Sequence, residues 1–524
     1  LELTYCYISK GDFKTALNHS DITEEEINKY LPENNLLYSE LYNCKGIILS
    51  NLSNYQKAIQ YYERALKIKI FNNGINDTTL SKIYNNLGII YYKLGDYNKA
   101  ITLQKKAILI SKNYRKKYEC PDVINFNIAL AITYLDKGNL EQAKYYYLEA
   151  LRIANYIAKK ENDIVLVRVL MNAGYFFSQL GKYNLAIKSL TIAKDILKNN
   201  FGNNYYQLGP IYNNLGKIYM ETGDNEQALD AFDKALYIYT TTFNNNHPDI
   251  SLILMNIGYC HFLAKDYDKA IKYYNQSLIN NNKTTIVTIK AYRNLGKVYE
   301  KKLNKTEAEK YYDNAIKLSQ YLLGNNHYET AKSLLDKGEF LNSIDDKKEE
   351  GIKLLFQALN IYKNIFGEKH PDISYCYTVI GDYYFNKQNY YEALKYYQKA
   401  IISISLGFNN QDIYTNPTIE NSILDINLIA PLQQKALTLM KIGFNDKSIK
   451  ELEASIKTYL IIIKLIDKIK VNYYETTTLN LLEKANRIFD EAIKACLYTY
   501  TLSNNIMYKN LTFELAEKSK SAIL

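Results

Sequence analysis

Asparagine recurs at one position of a repeating pattern, and its amide is the group in the pattern best suited to binding chemistry. In five repeats the asparagine stands two residues before a glycine. The carboxamide carries two N–H donors and a carbonyl acceptor, so a row of them can hydrogen-bond the backbone of an extended peptide whatever its sequence. We therefore predict a peptide-binding ladder. Its members are Asn86, Asn172, Asn214, Asn256 and Asn294.

The ladder has a structural alternative, and it is interrupted. Asparagine at this position could instead bridge adjacent helices or simply suit the fold, in which case it needs no ligand. Ala129 and Val379 occupy the equivalent position in two other repeats. The ladder is thus confined to the middle of the array, and peptide binding and structural bridging both stay open at this point.

Basic residues accompany the asparagines on the same helices, about one helical turn away. A concave cleft lined by charges of one sign concentrates partners of the opposite sign, so the first candidate ligand is a peptide with acidic residues. The alternative is a solvated charged face, since Glu221 and Glu300 lie nearby. The basic residues are Arg168, Lys217, Lys290, Arg293 and Lys297.

Histidine and cysteine form no recognisable catalytic or metal-binding pattern. Asn-His-Pro-Asp at 246–249 and Lys-His-Pro-Asp at 369–372 recur at the same phase, but Pro is pre-shaped for a first helical turn and Asp complements a helix N-terminus. Zinc would need convergent ligands. The six cysteines lie far apart without a C-x-x-C pair, which indicates reduced, cytosolic thiols. Hydrolase, nucleotide-binding and zincin motifs are absent, so we predict no catalytic residue, metal or cofactor in this sequence.

Helical hairpins are the elements that must position these residues. In 81–110, apolar or aromatic residues recur every three or four positions in two halves, which a Gly-Asp-Tyr turn at 95–97 separates. One hairpin cannot bury its apolar face alone and needs a copy on each side. The small residue that begins the second helix recurs from Ala58 to Ala393 at separations of 38 to 43 residues. The chain is therefore predicted to be an array of stacked hairpins.

Length and composition agree with an array. At 524 residues the chain is too long for one compact core. No stretch approaches the roughly 20 apolar residues that span a bilayer, so we predict no membrane segment and a cytoplasmic location. The net charge of +10 is mild for this length, which ranks nucleic acid low as a partner. The 53 tyrosines are expected to fill large aromatic slots between helices.

The repeat resembles the tetratricopeptide repeat, whose signature is aromatic, Leu-Gly, Tyr, then Ala, aromatic, Ala. A spacing of roughly 42 residues, against about 34 for the basic unit, is similar to that of kinesin light chains. The resemblance implies an all-α, right-handed superhelical solenoid of about ten hairpins plus C-terminal long helices, with the exposed face of each first helix lining an inner groove. The asparagines and basic residues named above would lie along that groove. The residues that match best are Tyr84, Leu87, Gly88, Tyr91, Ala100 and Ala107; Tyr212, Leu215, Gly216, Tyr219, Ala228, Phe232 and Ala235; and Tyr292, Leu295, Gly296, Tyr299, Ala308, Tyr312 and Ala315.

The regular array is expected over residues 1–404, as about nine repeats. A polar insertion that contains Gly and Pro breaks the rhythm at 405–428 and is predicted to be a hinge. Residues 429–524 are predicted to form a degenerate hairpin and long helices that lead to an effector domain. Both ends are expected to be cut from a longer protein, because Leu1 is not an initiator Met and Leu524 falls inside a helical pattern.

The final helix resembles the A-F-E-x-x-E-x-x-K-A-x-x-L-L helix that closes the repeat region of bacterial tetratricopeptide proteins with a C-terminal CHAT domain, a caspase-like cysteine peptidase fold. Thr512 and Ser521 replace the small residues usually found there. The resemblance implies that the nucleophile and base of such a peptidase would follow Leu524. The matching residues are Phe513, Glu514, Glu517, Lys520 and Leu524.

We therefore predict a protein- or peptide-binding scaffold that serves as the recognition and regulatory region of a CHAT-type cysteine peptidase. A second possibility is the peptide-sensing region of a bacterial signalling protein with a histidine kinase or a transcription regulator. A third is a free-standing adaptor. The residues encoded after Leu524 would discriminate between these three classes.

Overall fold

The chain folds into α-helices. The computed structural model describes residues 1–9, 13–52, 54–73, 79–114, 121–158, 164–243, 248–280, 285–405, 407–418, 426–472 and 478–523. These residues contain 24 α-helices, two short 3₁₀ turns and no β-strand, so the predicted all-α solenoid of hairpins is confirmed. No helix within these ranges combines the length and the apolar character needed to cross a membrane.

The chain divides into two compact units, Leu1–Ser333 and Leu334–Leu524, which we call unit one and unit two. The division falls within α17 (Tyr328–Asn342). Unit one contains α1 (Glu2–Ser9), α2 (Phe13–Asn28), α3 (Leu36–Asn51), α4 (Tyr55–Asn73), α5 (Leu80–Lys93), α6 (Tyr97–Tyr114), α7 (Pro121–Asp136), α8 (Leu140–Ala158), α9 (Ile164–Gln179), α10 (Tyr183–Phe201), α11 (Leu208–Glu221), α12 (Asn225–Phe243), α13 (Pro248–Leu263), α14 (Tyr267–Asn280), α15 (Ile286–Lys301) and α16 (Lys305–Leu323). Unit two contains α18 (Lys348–Phe366), α19 (Pro371–Asn386), α20 (Tyr390–Ile404), α21 (Ile429–Asp446), α22 (Ile449–Asn472), α23 (Thr478–Ser503) and α24 (Ile506–Ile523).

Consecutive helices pair into hairpins, whose first and second members we call helix A and helix B. Within each unit, helix B also packs on helix A of the next hairpin, as α6 packs on α7 and α12 packs on α13. In unit one the A helices of neighbouring hairpins contact one another from α1 to α15. The A helices therefore form a continuous layer, and side chains one repeat apart along the sequence can meet within it.

A glycine in helix A allows close packing against a large side chain of helix B. A Cβ atom placed on Gly296 would lie 2.7 Å from Cε1 of Tyr312, and one on Gly258 would lie 2.9 Å from Cδ1 of Tyr274. Both tyrosines are among the largest fully buried side chains. The prediction that tyrosine fills the slots between helices is therefore confirmed at these positions.

The histidine-containing linkers begin helices, as predicted. Pro371 is the first residue of α19, and Nδ1 of His370 accepts a hydrogen bond from the backbone N–H of Asp372 at 3.2 Å. The His370 ring also stacks on Phe366. The structural interpretation is confirmed at His370, whereas the equivalent histidine at 247 lies outside the described residues.

The C-terminal part of unit two contains the predicted hairpin, α21 and α22, followed by a helix of 26 residues, α23, and a final helix, α24. Their apolar faces share one core cluster. Within the predicted hinge, the described residues 407–418 are non-helical and lie against α20, α21 and α22. A role as a hinge stays a prediction.

Four of the cysteines are buried, at 44, 260, 376 and 496, and Cys6 is exposed. Burial raises the pKa of the Cys260 thiol to about 11 and that of Cys496 to about 12. Both values keep these thiols protonated near neutral pH and disfavour the reactive thiolate. Cys120 lies outside the described residues.

Candidate functional site

The geometry of helix A decides where the predicted ladder points. The glycine of each A helix faces helix B of the same hairpin. One residue turns the helix by about 100°, so a residue two positions earlier lies about 200° away and points out of the hairpin. Each asparagine of the ladder therefore lies along the layer of A helices, where it can meet a neighbouring hairpin or a ligand.

Two asparagines of the ladder bridge neighbouring A helices. Nδ2 of Asn86 donates to Oδ1 of Asn43 at 3.2 Å, and Nδ2 of Asn256 donates to Oδ1 of Asn213 at 2.9 Å. In both pairs the acceptor stands three residues before the glycine of the preceding hairpin. At these two positions the structure shows the bridging role that the sequence left open.

The other three asparagines have no such acceptor. The preceding hairpins carry Ile or Met at the position where the two bridged pairs carry Asn. Asn172 instead donates to the backbone carbonyl of Arg168 at 2.8 Å. Asn214 and Asn294 are partly exposed, and their side chains make no hydrogen bond with any other described residue. Their amides are therefore available to a ligand.

Arg293 departs from the expectation of an exposed groove residue. It is 6% exposed, and its Nη1 lies 2.8 Å from Oε2 of Glu329 at the start of α17. Nζ of Lys290 lies 3.3 Å from the other carboxylate oxygen of Glu329. Burial alone would raise the pKa of Glu329, but the nearby cations outweigh it, so the pKa is lowered.

Glu329 is a site residue that sequence reasoning missed. It belongs to a degraded copy of the His-Pro-Asp linker, so its acidic side chain fits the preference for negative charge at a helix N-terminus. Its contacts with α15 run 36 and 39 residues back along the chain. These separations are close to one repeat, so the sequence signal that could have identified Glu329 is an acidic residue about one repeat after two basic residues.

The charge of Lys290 acts on Lys217, although the hairpin of α13 and α14 lies between theirs in the sequence. Burial lowers the pKa of Lys217, and the charge of Lys290 lowers it further, whereas Asp249 and Glu221 act in the opposite direction. Lys217 forms no hydrogen bond or ion pair with the part of the chain that the structure describes. The sequence placed these two lysines on one face, and the structure brings them close enough to repel each other.

The remaining predicted basic residues differ from each other. Arg168 is exposed, and its Nη1 donates to Oδ1 of Asn125 at 2.6 Å, one repeat earlier. Lys297 is partly exposed and directly follows Gly296. The candidate binding face therefore narrows to α9, α11 and α15. It is formed by Asn172, Asn214, Lys217, Lys290, Asn294 and Lys297.

Other side chains of the A layer also bond across neighbouring helices. The hydroxyls of Tyr92 in α5 and Tyr175 in α9 donate to the two carboxylate oxygens of Asp136 in α7, at 2.5 and 3.0 Å. Ser178 in α9 donates to Glu221 in α11 at 2.8 Å. These bonds tie α5, α7, α9 and α11 together beside the candidate face.

Three family models, each described as a tetratricopeptide repeat, match the chain. One matches residues 36–113, 79–155 and 207–278. The others match residues 288–329 and 374–401. Together these matches cover half of the chain.

The chain is also similar to individual proteins. It is 28% identical over 173 residues to the Clustered mitochondria protein homolog of Debaryomyces hansenii, a match that covers 32% of this chain and only 11% of that protein's length. Among solved structures it is similar to the apo form of the quorum sensor NprR from B. thuringiensis, with 21% identity and a TM-score of 0.42. That match covers 60% of this chain and 85% of NprR. It is also similar to the apo form of RapI, with 19% identity and a TM-score of 0.41, in a match that covers 53% of this chain and 97% of RapI.

The repeat models agree with the structure on where the units lie. Each matched range falls on helical hairpins or on the helices that flank them. Since the models account for half of the chain, the chain belongs to the tetratricopeptide-repeat proteins.

Proposed function

We propose that unit one binds an extended acidic peptide, or an acidic segment of a protein, along the face formed by α9, α11 and α15. The observation that carries this proposal is the division of the asparagine ladder. Where the preceding hairpin supplies an acceptor, the asparagine is used for bridging. Asn214 and Asn294 have no acceptor there, so their amides can bond a peptide backbone.

The charges beside these amides favour carboxylates. Lys217 is partly buried, and the positive charge of Lys290 lowers its pKa. A carboxylate placed between them would offset their repulsion and supply a hydrogen-bond acceptor. Glu329 already occupies one side of Lys290, so a ligand would share this lysine with Glu329.

The test measures peptide binding by the full chain on an array of short peptides of increasing Asp and Glu content. Variants Asn214→Leu and Asn294→Leu are expected to weaken binding about tenfold each, the effect of a loss of about 1.4 kcal/mol. Asn200→Leu is the matched control, because Asn200 is an exposed asparagine of helix B in α10. Binding that does not depend on acidic content, or that falls equally in the control, contradicts the proposal.

A finer proposal rests on the resemblance of the final helix. We propose that the array is the recognition and regulatory region of a bacterial, cytoplasmic CHAT-type cysteine peptidase, in which a partner bound to unit one controls proteolysis through residues 405–428. The support is the match of Phe513, Glu514, Glu517 and Lys520 to the helix that precedes such peptidases.

The native gene downstream of Leu524 tests this finer proposal. A Cys/His peptidase core supports it, whereas a histidine kinase or a DNA-binding module supports a peptide sensor, and an early stop codon supports a free-standing adaptor. With the full-length protein in hand, the Leu variants at Asn214 and Asn294 should lose partner-dependent cleavage. Cleavage that is as fast without the partner as with it, and as fast in the variants as in the wild type, would contradict the regulatory role.

A further inference from the structure

Unit two contains a non-helical segment that the repeat itself does not require. α10 and α11 are joined by residues 202–207, and α16 and α17 by residues 324–327. By contrast, α20 ends at Ile404 and α21 begins at Ile429. Within this longer connection, residues 407–418 lie along α20, α21 and α22.

Side chains of the surrounding residues hold the backbone of this segment. Nε2 of Gln398 in α20 donates to the carbonyl of Asn410 at 2.6 Å, and Nζ of Lys435 in α21 donates to the carbonyl of Thr415 at 2.6 Å. Contacts of this kind fix a polypeptide backbone whatever its side chains are. The segment is thus held in the manner of a bound peptide.

Tyr414 is one of two side chains of residues 407–418 that hydrogen-bond to side chains of the surrounding helices. Its ring packs on the buried cluster that contains Leu394 and Leu439. Its hydroxyl donates to Oε1 of Glu451 at 2.9 Å, and Nζ of Lys450 lies 4.0 Å from the ring centroid. The apolar ring, the hydroxyl and the π face of Tyr414 therefore each have a separate partner.

Asn416 is the second. Its Oδ1 accepts a hydrogen bond from Lys435 at 2.9 Å, and its Nδ2 donates to Oγ1 of Thr458 in α22 at 3.0 Å. Both the oxygen and the nitrogen of this side-chain amide are hydrogen-bonded, so a carboxylate or an apolar side chain at this position would leave at least one partner without its hydrogen bond. Pro417, which follows, is buried.

The buried side chain of Lys435 in α21 depends on this segment for its hydrogen bonds. The side chain is fully buried, and its three N–H donors meet three acceptors: Oε1 of Gln398 at 2.7 Å, the carbonyl of Thr415 and Oδ1 of Asn416. Burial lowers the pKa of Lys435 to about 7. A buried ammonium is costly unless its donors are satisfied, and the segment supplies two of the three acceptors.

We propose that α20, α21 and α22 form a second peptide-binding site, which residues 413–417 (Ile-Tyr-Thr-Asn-Pro) occupy in cis. The ligand class is a polypeptide with tyrosine two residues before asparagine that forms a turn, as the segment itself does through the hydrogen bond from the backbone N–H of Thr415 to the carbonyl of Asp412 at 3.1 Å. In this arrangement the segment is an internal plug that a competing polypeptide of the same pattern replaces. The site belongs to unit two alone, so its test is independent of the acidic ligand proposed for unit one.

The experiment uses the full chain with residues 408–418 replaced by a Gly-Ser linker of equal length. The probe is a fluorescently labelled synthetic peptide of residues 407–418, and fluorescence anisotropy measures its binding. The linker variant should bind at least about tenfold more tightly than the wild type, in which the plug competes. A peptide with Tyr414→Ala and Asn416→Ala should not bind to the linker variant. Equal affinities for the wild type and the linker variant, or no binding by a linker variant with wild-type circular dichroism, would overturn the proposal.

A second variant covers the case in which the linker variant does not fold. Tyr414→Ala with Asn416→Ala in the full chain weakens the plug but keeps its backbone contacts, so this variant should bind the unmodified peptide more tightly than the wild type. Asn409→Ala with Gln411→Ala is the matched control, because both side chains are exposed, and it should behave like the wild type. No gain in a folded double variant, or loss of the fold in both plug variants, shows that the segment is integral to the core and overturns the proposal.

Discussion

A single acceptor one repeat earlier separates the bridging asparagines from the open ones. Asn256 and Asn294 occupy the same position of their repeats and have the same side chain. Asn256 meets Asn213, whereas the residue at the equivalent position before Asn294 is Met255. Identical residues at identical positions can thus hold the array together in one hairpin and remain open in another.

We expect Asn256→Ala to destabilise the protein and Asn294→Ala to leave it nearly unchanged. Asn213 is 7% exposed, so removing its donor leaves a buried carbonyl oxygen unpaired, at a cost of about 1–3 kcal/mol. Asn294 makes no hydrogen bond with other described residues, so its loss should change the free energy of unfolding by less than about 0.5 kcal/mol. Urea denaturation followed by circular dichroism measures both.

A double-mutant cycle checks that the effect comes from the bridge. Asn213→Ala combined with Asn256→Ala should cost clearly less than the two single changes added together, because the pair is then removed without an orphaned partner. If Asn256→Ala and Asn294→Ala lower stability equally, the distinction between bridging and open asparagines is wrong.

The sequence located the asparagines but could not assign their roles. The repeat places them in helix A, yet the hydrogen bond depends on a residue about 43 positions earlier. Asparagine three residues before the glycine, as at Asn43 and Asn213, is a visible signal that would have identified both bridges. Arg293 was predicted to lie on the exposed groove face. Its buried ion pair could not be recognised from α15 alone, because its counter-ion Glu329 lies in a different helix.

At the scale of the helix pair, the contact between glycine and an aromatic ring sets how closely helices A and B approach. We expect Gly296→Ala to destabilise the protein, although alanine favours a helix by about 1 kcal/mol. The new Cβ would lie 2.7 Å from Cε1 of Tyr312, which is 1% exposed and whose hydroxyl donates to Oε2 of Glu300 at 3.0 Å. Overpacking of this kind costs about 1–3 kcal/mol.

Thermal denaturation measures this effect, with Lys297→Ala as the control. Lys297 follows Gly296 in the same helix but is partly exposed, so its replacement leaves the packing of α15 on α16 intact. A rise in the melting temperature of Gly296→Ala, as helix propensity alone would give, contradicts the packing argument.

The sequence predicted helices better than it predicted the connection between α20 and α21. Periodicity identifies the hairpins and the long C-terminal helix because local spacing determines which face is apolar. The polar residues of 405–428 gave only the expectation of a hinge. Residues 407–418 are fixed by Gln398, Lys435 and Thr458, which lie 12 to 42 residues away in three helices, so no local pattern in the segment reveals these contacts.

At the scale of the whole molecule, the residue after the helix A glycine differs in charge between the two units. Two hairpins of unit one carry Lys217 and Lys297 there, and two of unit two carry Glu339 and Asp382, whereas the equivalent glycine of other hairpins is followed by Ile, Tyr or Phe. Burial and the charge of Glu339 together raise the pKa of Asp382 to about 6, against the opposing effect of the hydrogen bond from Tyr397. The net charge of +10 conceals this difference. An acidic ligand therefore suits the basic positions of unit one and not the equivalent positions of unit two.

Unit one also contains a contact that a linear array would not have. In a simple solenoid each repeat contacts only its neighbours. Here Nε2 of His327 lies 2.6 Å from the backbone carbonyl of Lys93, 234 residues earlier. One core cluster includes Leu87 and Ile90 together with Ile289 and Leu323. The first and last parts of unit one therefore stabilise each other directly.

The hydrogen bonds of His327 define its protonation. Nδ1 accepts from the backbone N–H of Glu329 at 3.0 Å, so the proton of the neutral ring is on Nε2, where it is donated to Lys93. His327 is 4% exposed, and burial lowers its pKa even though the bond to Lys93 acts in the opposite direction. Protonation of Nδ1 would remove the acceptor that caps α17.

This arrangement predicts a pH dependence that His327→Asn should remove. The unfolded histidine takes up a proton near pH 6.5, whereas the folded ring does so only at lower pH. Because the unfolded state binds more protons in that window, the stabilisation by His327 is complete above about pH 6.5 and is lost as the pH falls through it. Asn at 327 can still cap α17 but does not titrate.

We expect the free energy of unfolding of the wild type to exceed that of the variant by about 1–2 kcal/mol near pH 7.5. Urea denaturation near pH 7.5 and near pH 5 should show this difference shrinking on acidification. A difference that stays constant or widens at the lower pH would show that His327 is not held neutral by these two bonds.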